Sequence, residues 1–501
     1  MTKAPAGLRS YIHNIALSPK AAVNLLIAAG LTSLAVYALI FTQTYSLLTF
    51  IGIPKYDLHL MVKAEPFILW LYRIGFIILA VAYTLGGWAA SHVTGRKAWM
   101  IVIATAVLSA GALLMLYPFD AADMFDYILE GRMLAFYNAN PYLQTPSEFP
   151  LDPFYSYVGW TKSTAPYGPL WLQLSALTAR ITGNSLLGTV IGFKLLSGTF
   201  YVVSAGFMIA ILQRKSPERS LTGLWLFACN PLVLYETFGH GHNDITLTAC
   251  LLASVWFMID QRYTIAILSL VIGALFKHVT LLAIPAALVC ALVDLKGWKV
   301  KLRFLAITCL ASALLVTIAY QPLWVGWKTL NLTSRMYMYT TSLPAIIHTW
   351  YRDDVDLVLL SRAVSWVTSG LTLLVALFIA WRARRDRSWL SYPKAALTTL
   401  MFYLLVTCLW FQQWYMVWPI GLAALLPMGG LAFLTLMTSF TVMTKVLIAA
   451  PPLLWAKPLP RAQYRELWLS LEVMILPWLV SILLLVKHFN TRRKKKKSVR
   501  V

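Results

Sequence analysis

The sequence predicts an all-α polytopic membrane protein with about fourteen transmembrane helices. Of its 501 residues, 59% are hydrophobic and only 12% are charged, whereas soluble domains carry about 25% charged residues. Apolar runs of about 20 residues, the length that crosses a bilayer as a helix, recur along the whole chain. A transmembrane β-barrel requires short alternating segments instead, and the sequence has none. This composition excludes a soluble globular enzyme.

The spans are predicted from the apolar runs and from the polar, Pro and Gly residues that interrupt them. The connections at 260–263, 277–279 and 410–413 are so short that re-entrant pairs of half-helices would also fit. We divide the chain into an N-terminal module, 1–300, with an external loop at 118–184 that carries short helices, a C-terminal variable module, 301–490, and a basic tail, 491–501. The predicted spans are 21–45, 66–90, 98–117, 185–213, 219–236, 244–260, 263–277, 279–294, 303–321, 356–381, 394–410, 413–428, 431–450 and 467–487.

The basic residues alternate between the connecting loops. The tails and the loops near 96, 214–219, 262, 296–303 and 382–394 hold 26 of the 42 Lys and Arg residues but four of the 19 acids. The positive-inside rule makes this side cytoplasmic, so we expect both termini in the cytoplasm and the active site outside the plasma (inner) membrane. The net charge of +23 therefore reflects insertion and does not indicate nucleic-acid binding. The tail is a topology anchor or, alternatively, binds anionic lipid.

The five cysteines all lie inside apolar runs, without a CxxC pair. They are interpreted as buried small apolar residues. No disulfide framework and no structural zinc site is expected.

Three carboxylates open the long loop after the third predicted span. Asp120, Asp123 and Asp126 are spaced three residues apart, so they share one face if the segment is helical. Aromatic residues surround them, and a carboxylate at such an apolar boundary has the tuned basicity of a general base. A solvated connector is the alternative interpretation.

Eight short motifs follow one another along the chain. They are Asp123–Tyr127, Gly131-Arg132, Asn140-Pro141-Tyr142, Tyr167-Gly168-Pro169, Asn230-Pro231-Leu232, His242-Asn243-Asp244, a run from Lys277 to Pro285, and Trp414–Trp418. Their order resembles that of the GT-C superfamily of membrane glycosyltransferases. The closest resemblance is to the polyprenyl-phosphomannose-dependent α-mannosyltransferases of bacterial lipoglycan assembly. Asp120 and Asp126 are acids that the family pattern does not contain.

The resemblance implies an external active site that uses a lipid-linked sugar as donor, with mannose as the expected sugar. A glycan or glycolipid is the implied acceptor, membrane lipid surrounds the protein, and no metal or other cofactor is expected. We expect Asp123 to be the general base, with Asp120 as the alternative. The expected ligands of the donor phosphate are Lys277, Arg335, Arg461 and Arg465. The expected acceptor or sugar contacts are Asp126, Arg132, Tyr167, His240, His242, Asn243, Asp244, Gln413, Trp414 and Tyr415.

Other interpretations remain open at this point. Asp123 also fits a helix cap, and Lys277 fits a snorkelling side chain at a helix end. The His240–Asp244 segment fits a structural hydrogen-bond cluster or, with its ligand types, a metal site. The aromatic residues near 414 fit an interfacial belt. A polytopic transporter or lipid flippase is the alternative function, although such proteins carry ionisable residues near the midplane and often have inverted repeats.

Overall fold

A computed structural model describes residues 17–55, 65, 67–120, 123–330, 337–449 and 462–498. These residues form helices joined by turns and loops, and no named strand occurs among them. The all-α fold class predicted from the apolar runs is confirmed.

Seventeen helices, labelled here α1 to α17, position the site. Single-turn helices and π-helical or 3₁₀ segments connect or extend several of them. The labelled helices are α1 Pro19–Ala35, α2 Phe67–Ala90, α3 Arg96–Leu114, α4 Asp123–Phe136, α5 Pro169–Thr182, α6 Leu186–Lys215, α7 Ser220–Ala228, α8 Ile245–Ile259, α9 Tyr263–Ala274, α10 Ile284–Asp294, α11 Trp298–Tyr320, α12 Leu343–Tyr351, α13 Leu357–Ala383, α14 Ser391–Phe402, α15 Val417–Leu425, α16 Gly430–Ala449 and α17 Ala462–Ser498.

The boundaries of these helices follow their capping residues. Ser185 precedes α6 and its side chain accepts a hydrogen bond from the Gly188 amide. Asp356 does the same for α13, accepting from the Leu359 amide at 2.7 Å. Each cap satisfies an amide that has no partner inside the helix. Gly183, with φ of +61°, ends α5 in a conformation that disfavours a side chain.

Seven helices of the described chain are long and apolar enough to cross a membrane. They correspond to the predicted spans that begin near residues 21, 66, 98, 185, 303, 356 and 467. The other predicted spans coincide with shorter or interrupted helices, such as the segment 220–239, which changes from α-helix to a π-helical turn at Tyr235–Gly239. Fourteen therefore stays a prediction.

The apolar runs differ in what they pack against. Helices α7, α8 and α15 are almost entirely buried inside the protein, whereas α11 and α13 expose most of their apolar side chains. The prediction that the cysteines are buried is wrong at Cys309. This residue lies on α11, and it is exposed as most apolar side chains of that helix are. All five cysteines are free.

Candidate active site

Asp123, the expected base, is the first residue of α4 in the long loop. It is half-buried, and the Tyr167 hydroxyl donates to its Oδ2 at 3.4 Å. The Tyr127 ring packs edge-on against Tyr167 at 4.7 Å. Two residues that sequence analysis placed at the site, Asp123 and Tyr167, are therefore in contact.

Tyr167 is held beside the segment 275–277 by its neighbour Gly168. The Gly168 amide donates to the Phe276 carbonyl at 2.9 Å, and the Leu170 amide donates to the Leu275 carbonyl at 3.2 Å. A Cβ at residue 168 would overlap the Leu275 carbonyl. Glycine permits this close approach, which brings Tyr167 to the segment that carries Lys277.

Lys277 lies in an ion pair with a buried carboxylate. Its Nζ is 2.9 Å from Oδ1 and 3.0 Å from Oδ2 of Asp244. The indole nitrogen of Trp418 donates to the same Oδ1 at 2.6 Å. The ammonium group also lies 4.8 Å from the ring centroid of Tyr415 and 5.7 Å from that of Trp418, distances at which cation–π attraction operates. Lys277 is thus more than a snorkelling residue at a helix end.

A second group of polar side chains joins Asp120 to the segment 240–244, which contains His240 and His242. The Gln413 amide donates to Oδ2 of Asp120 and, at 2.9 Å, to Oε1 of Glu236. The other carboxylate oxygen of Glu236 is 2.8 Å from Nδ1 of His242. The His242 ring stacks on Trp414 with centroids 4.1 Å apart. Glu236 is fully buried and was not among the expected site residues.

The remaining polar residues of the segment 240–244 are also buried. His240 packs its ring against Tyr235 at 4.4 Å and Phe119 at 5.2 Å. Asn243 accepts a hydrogen bond from Tyr127 at 3.5 Å through Oδ1. In the described part of the chain, no group of three or more His, Cys, Asp and Glu residues has the arrangement of a metal site.

Asp126 and Arg132 form their hydrogen bonds with other residues of the long loop 118–184. Oδ1 of Asp126 accepts from the amides of Gly159 and Trp160 at 3.1 and 3.0 Å. Burial, together with the neighbouring Asp123 carboxylate, raises the pKa of Asp126 to about 8. Asp126 therefore fixes the segment 159–160 against α4, and its expected sugar contact stays a prediction.

Arg132 lies in a buried ion pair away from Asp123. Its guanidinium is 2.8 Å from Asp152 and also donates to the Gly183 carbonyl and the Asn184 side chain. The rings of Phe136 and Phe154 flank it at 4.8 and 4.6 Å. Each of its three nitrogens donates to a protein group, and none of these groups is Asp123 or one of its partners.

A buried lysine that sequence analysis missed supports the start of the loop. Lys194, in α6, is fully buried and donates to the carbonyls of Leu113, Leu114 and Leu116. It thereby caps the end of α3, a few residues before Asp120. An ionisable residue inside an apolar run was the signal for both Lys194 and Glu236, because such residues are costly in a membrane protein unless they have a role.

A cavity of about 460 Å³ lies beside the Lys277 ion pair. Tyr167 and Lys277 line it, together with Tyr415 and Trp418. Residues of α13 and of the segment 403–410 also line it, and they combine hydroxyl groups with apolar side chains. These hydroxyl-bearing and apolar residues are Thr368, Ser369, Thr372, Tyr403, Thr407, Leu409 and Trp410.

Three expected phosphate ligands cannot be placed relative to this cavity. Arg335 and Arg461 lie outside the described residues, and so does the side chain of Arg465.

Comparison with known proteins assigns the chain to a family. The family model described as "Alpha-(1->6)-mannopyranosyltransferase, N-terminal domain" matches residues 22–293. The chain is 26% identical over 347 residues to alpha-(1->6)-mannopyranosyltransferase A of Mycobacterium tuberculosis, which covers 64% of each chain. It is 22% identical over 170 residues to the protein of the same name from Corynebacterium glutamicum, covering 34% of each.

A third relative is alpha-(1->6)-mannopyranosyltransferase B of Corynebacterium glutamicum, 29% identical over 143 residues, which cover 28% of this chain and 23% of the relative. The chain thus spans less than two thirds of the length of the relatives it matches. The family match nevertheless covers more than half of the 501 residues, and it includes Asp123, Tyr167, Asp244 and Lys277. The chain belongs to the alpha-(1->6)-mannopyranosyltransferase family.

Proposed function

We propose that this chain is a membrane mannosyltransferase that moves mannose from a polyprenyl-phosphate donor to a hydroxyl of a glycan or glycolipid acceptor. The observation that carries the proposal is that Tyr167 links two features: it lines the cavity beside Lys277 and donates a hydrogen bond to Asp123. Tyr167 therefore connects a carboxylate for deprotonation to the cavity that is lined by a cation for phosphate. The names of the relatives supply the sugar and the α(1→6) linkage.

The donor fits the cavity with its phosphate at Lys277. A lysine acts on phosphate as a point charge, and the Lys277 side chain is 18% exposed. The apolar residues Leu409 and Trp410, which also line the cavity, suit the first prenyl units. The rings of Tyr415 and Trp418, stacked with centroids 4.6 Å apart, add an apolar surface for the sugar.

The reaction is a single displacement at the anomeric carbon. The acceptor oxygen forms the new bond to that carbon while its proton passes to the Asp123 carboxylate. The bond from the anomeric carbon to the phosphate oxygen breaks, and its electron pair stays on the phosphate beside Lys277. Because one displacement inverts the centre, a β-linked donor gives an α-linked product without a carboxylate nucleophile. Tyr167 orients Asp123 for this step.

The test uses purified protein in detergent with a synthetic radiolabelled polyprenyl-phosphate mannose and an α-mannoside acceptor. Loss of the Asp123 base should lower kcat by about 10²- to 10⁴-fold in Asp123→Asn. Asp120→Asn is the matched control, because it removes a second carboxylate that contacts Gln413 instead of Tyr167. Near-wild-type turnover of Asp123→Asn, after membrane insertion has been confirmed, would overturn the assignment. Inactivation by Asp120→Asn alone would transfer the role to Asp120.

Three further measurements address the donor, the metal requirement and the alternative function. Lys277→Ala should raise KM for the donor more than KM for the acceptor, and equal effects would contradict a phosphate contact. Transfer should persist in a chelator, whereas loss with recovery on adding a divalent ion would reveal a metal requirement. Movement of the lipid across a vesicle without transfer of the sugar would support a flippase.

A further inference from the structure

Lys277, which lines the cavity, is already paired with a carboxylate. Among the described residues that line the cavity, Lys277 is the only lysine or arginine. Both oxygens of Asp244 lie within 3.0 Å of its Nζ, and the Asp244 side chain is fully buried. Lys277 and Asp244 together carry no net charge, so a phosphate at Lys277 also experiences the nearby negative charge.

The charge of the phosphate changes during the proposed transfer. In the donor, the phosphate is a diester with one negative charge. When the bond to the anomeric carbon breaks, it becomes a monoester, whose charge near pH 7 is about −1.5 to −2. The product thus carries about 0.5 to 1 more negative charge than the donor, at the same position beside Lys277 and Asp244.

We propose that Asp244 is a specificity-determining residue that cancels the preference of Lys277 for the more highly charged phosphate. A lysine alone would bind the dianionic product more tightly than the donor and retain it after transfer. With Asp244 beside it, the second negative charge gains no net attraction from the pair. The site therefore suits a singly charged phosphodiester and releases the polyprenyl monophosphate. This inference rests on the donor role proposed for Lys277.

A substitution at Asp244 can remove its negative charge while the hydrogen bonds to Oδ1 are kept. Its Oδ1 accepts hydrogen bonds from both Lys277, at 2.9 Å, and the Trp418 indole, at 2.6 Å. The amide oxygen of an asparagine at residue 244 would accept both bonds. Asp244→Asn thus removes the negative charge and keeps the two bonds to Oδ1, while its amide nitrogen replaces Oδ2, which accepts from Lys277 at 3.0 Å in the wild-type protein.

Two probes that differ by one charge test the proposal. Polyprenyl phosphate is the dianion, and its methyl ester, a phosphodiester that cannot transfer a sugar, is the monoanion. Their Kd values are measured from the tryptophan fluorescence of the full-length protein in detergent, so that binding is read without turnover. The wild-type protein should bind the two probes with Kd values within about threefold of each other. A wild-type preference of tenfold or more for the dianion would overturn the proposal.

The variants supply the second comparison. Asp244→Asn should bind the dianion about tenfold more tightly relative to the methyl ester, since one charge on the far side of the Lys277 ammonium is worth about that much at an effective dielectric constant between that of protein and water. Asp244→Glu, which keeps the charge, should retain the wild-type ratio. Asp260→Asn is the matched control, because Asp260 is paired with Arg214 and Arg262 away from the cavity; its ratio should not change. An unchanged ratio in Asp244→Asn would refute the charge argument.

These outcomes are distinct from those that test the proposed function. If the wild-type protein binds both probes equally but transfers no mannose, the function fails and the binding inference stands. If it transfers mannose but prefers the dianion tenfold, the inference fails and the function stands.

Discussion

Replacing Asp126 by asparagine should make the protein more stable at alkaline pH and leave its stability at acidic pH unchanged. Asp126 is 2% exposed, and its pKa is raised to about 8 by burial and by the Asp123 carboxylate. Its Oδ1 accepts two backbone hydrogen bonds, while Oδ2 has no hydrogen-bond partner. An asparagine keeps the two accepted bonds and cannot ionise.

The sign and size of the effect follow from linkage. In the unfolded chain, an Asp carboxyl loses its proton near pH 4, whereas in the folded protein Asp126 keeps it up to about pH 8. Because the folded state holds the proton more tightly, the free energy of unfolding falls as pH rises from about 4 to about 8 and is then constant. The loss is as much as about 1.4 kcal/mol for each pH unit in that window. Asp126→Asn removes this loss.

Thermal unfolding in detergent, followed by tryptophan fluorescence between pH 5 and pH 9, measures the effect. The difference in Tm between Asp126→Asn and wild type should be small at pH 5, where about one pH unit of the window has been crossed, and should grow to several degrees at pH 9. Glu148→Gln is the control: hydrogen bonds from Thr145 and Gln144 lower the pKa of Glu148, so its neutralisation should not raise Tm at any pH. A Tm difference that is the same at pH 5 and pH 9 would refute the reasoning.

Three other predictions concern the loop and its orientation. Arg132→Gln should lower the free energy of unfolding by about 3–5 kcal/mol, because it leaves a buried carboxylate without its cation; a loss below about 1 kcal/mol in denaturant titrations would contradict this. Gly168→Ala should insert into the membrane but lose transfer activity about a hundredfold, since a misplacement of about 1 Å at the site suffices; wild-type kcat would show that the close approach is dispensable. A cysteine at Glu148 should react in intact cells with an impermeant maleimide, whereas one at Arg385 should not, each measured against the wild-type background; the reverse pattern would invert the proposed topology.

The sequence alone predicts which residues share one end of the bundle better than it predicts their partners. Motif order and loop charge place Asp123, Tyr167 and Lys277 on one side, and the structure joins Tyr167 to Asp123 and, through Gly168, to the segment before Lys277. The partner of Lys277 was not predicted. Asp244 precedes it by 33 residues, and only the packing of α8 against α9 and α15 decides that these side chains meet.

The roles of buried polar residues were the least predictable from the sequence. Arg132 and Asp126 have residue types that suit sugar binding, yet their hydrogen bonds go to Asp152 and to the amides of Gly159 and Trp160. A sequence shows a donor or an acceptor but does not show whether the protein already satisfies it. Glu236 differs from these two residues because it was not expected at the site. It lies at the end of a predicted span, where a carboxylate is unfavourable, and its contact with Gln413 is visible only in the folded structure.

The loops that were grouped by charge also meet in space, which supports the grouping independently of the motifs. Arg214 is paired with Asp260 at 3.0 Å, and Arg387 lies 3.5 Å from Asp294; all four residues belong to loops predicted to be cytoplasmic. At the other end, the contact between Gln413 and Asp120 and the pair of Lys277 with Asp244 join loops predicted to be external. A helix count wrong by one anywhere between residues 120 and 413 would have put some of these partners at opposite ends of the bundle. The alternation of basic and neutral loops, over which the net charge of +23 is distributed, therefore agrees with these contacts, and it predicts the end at which the carboxylates and Lys277 assemble.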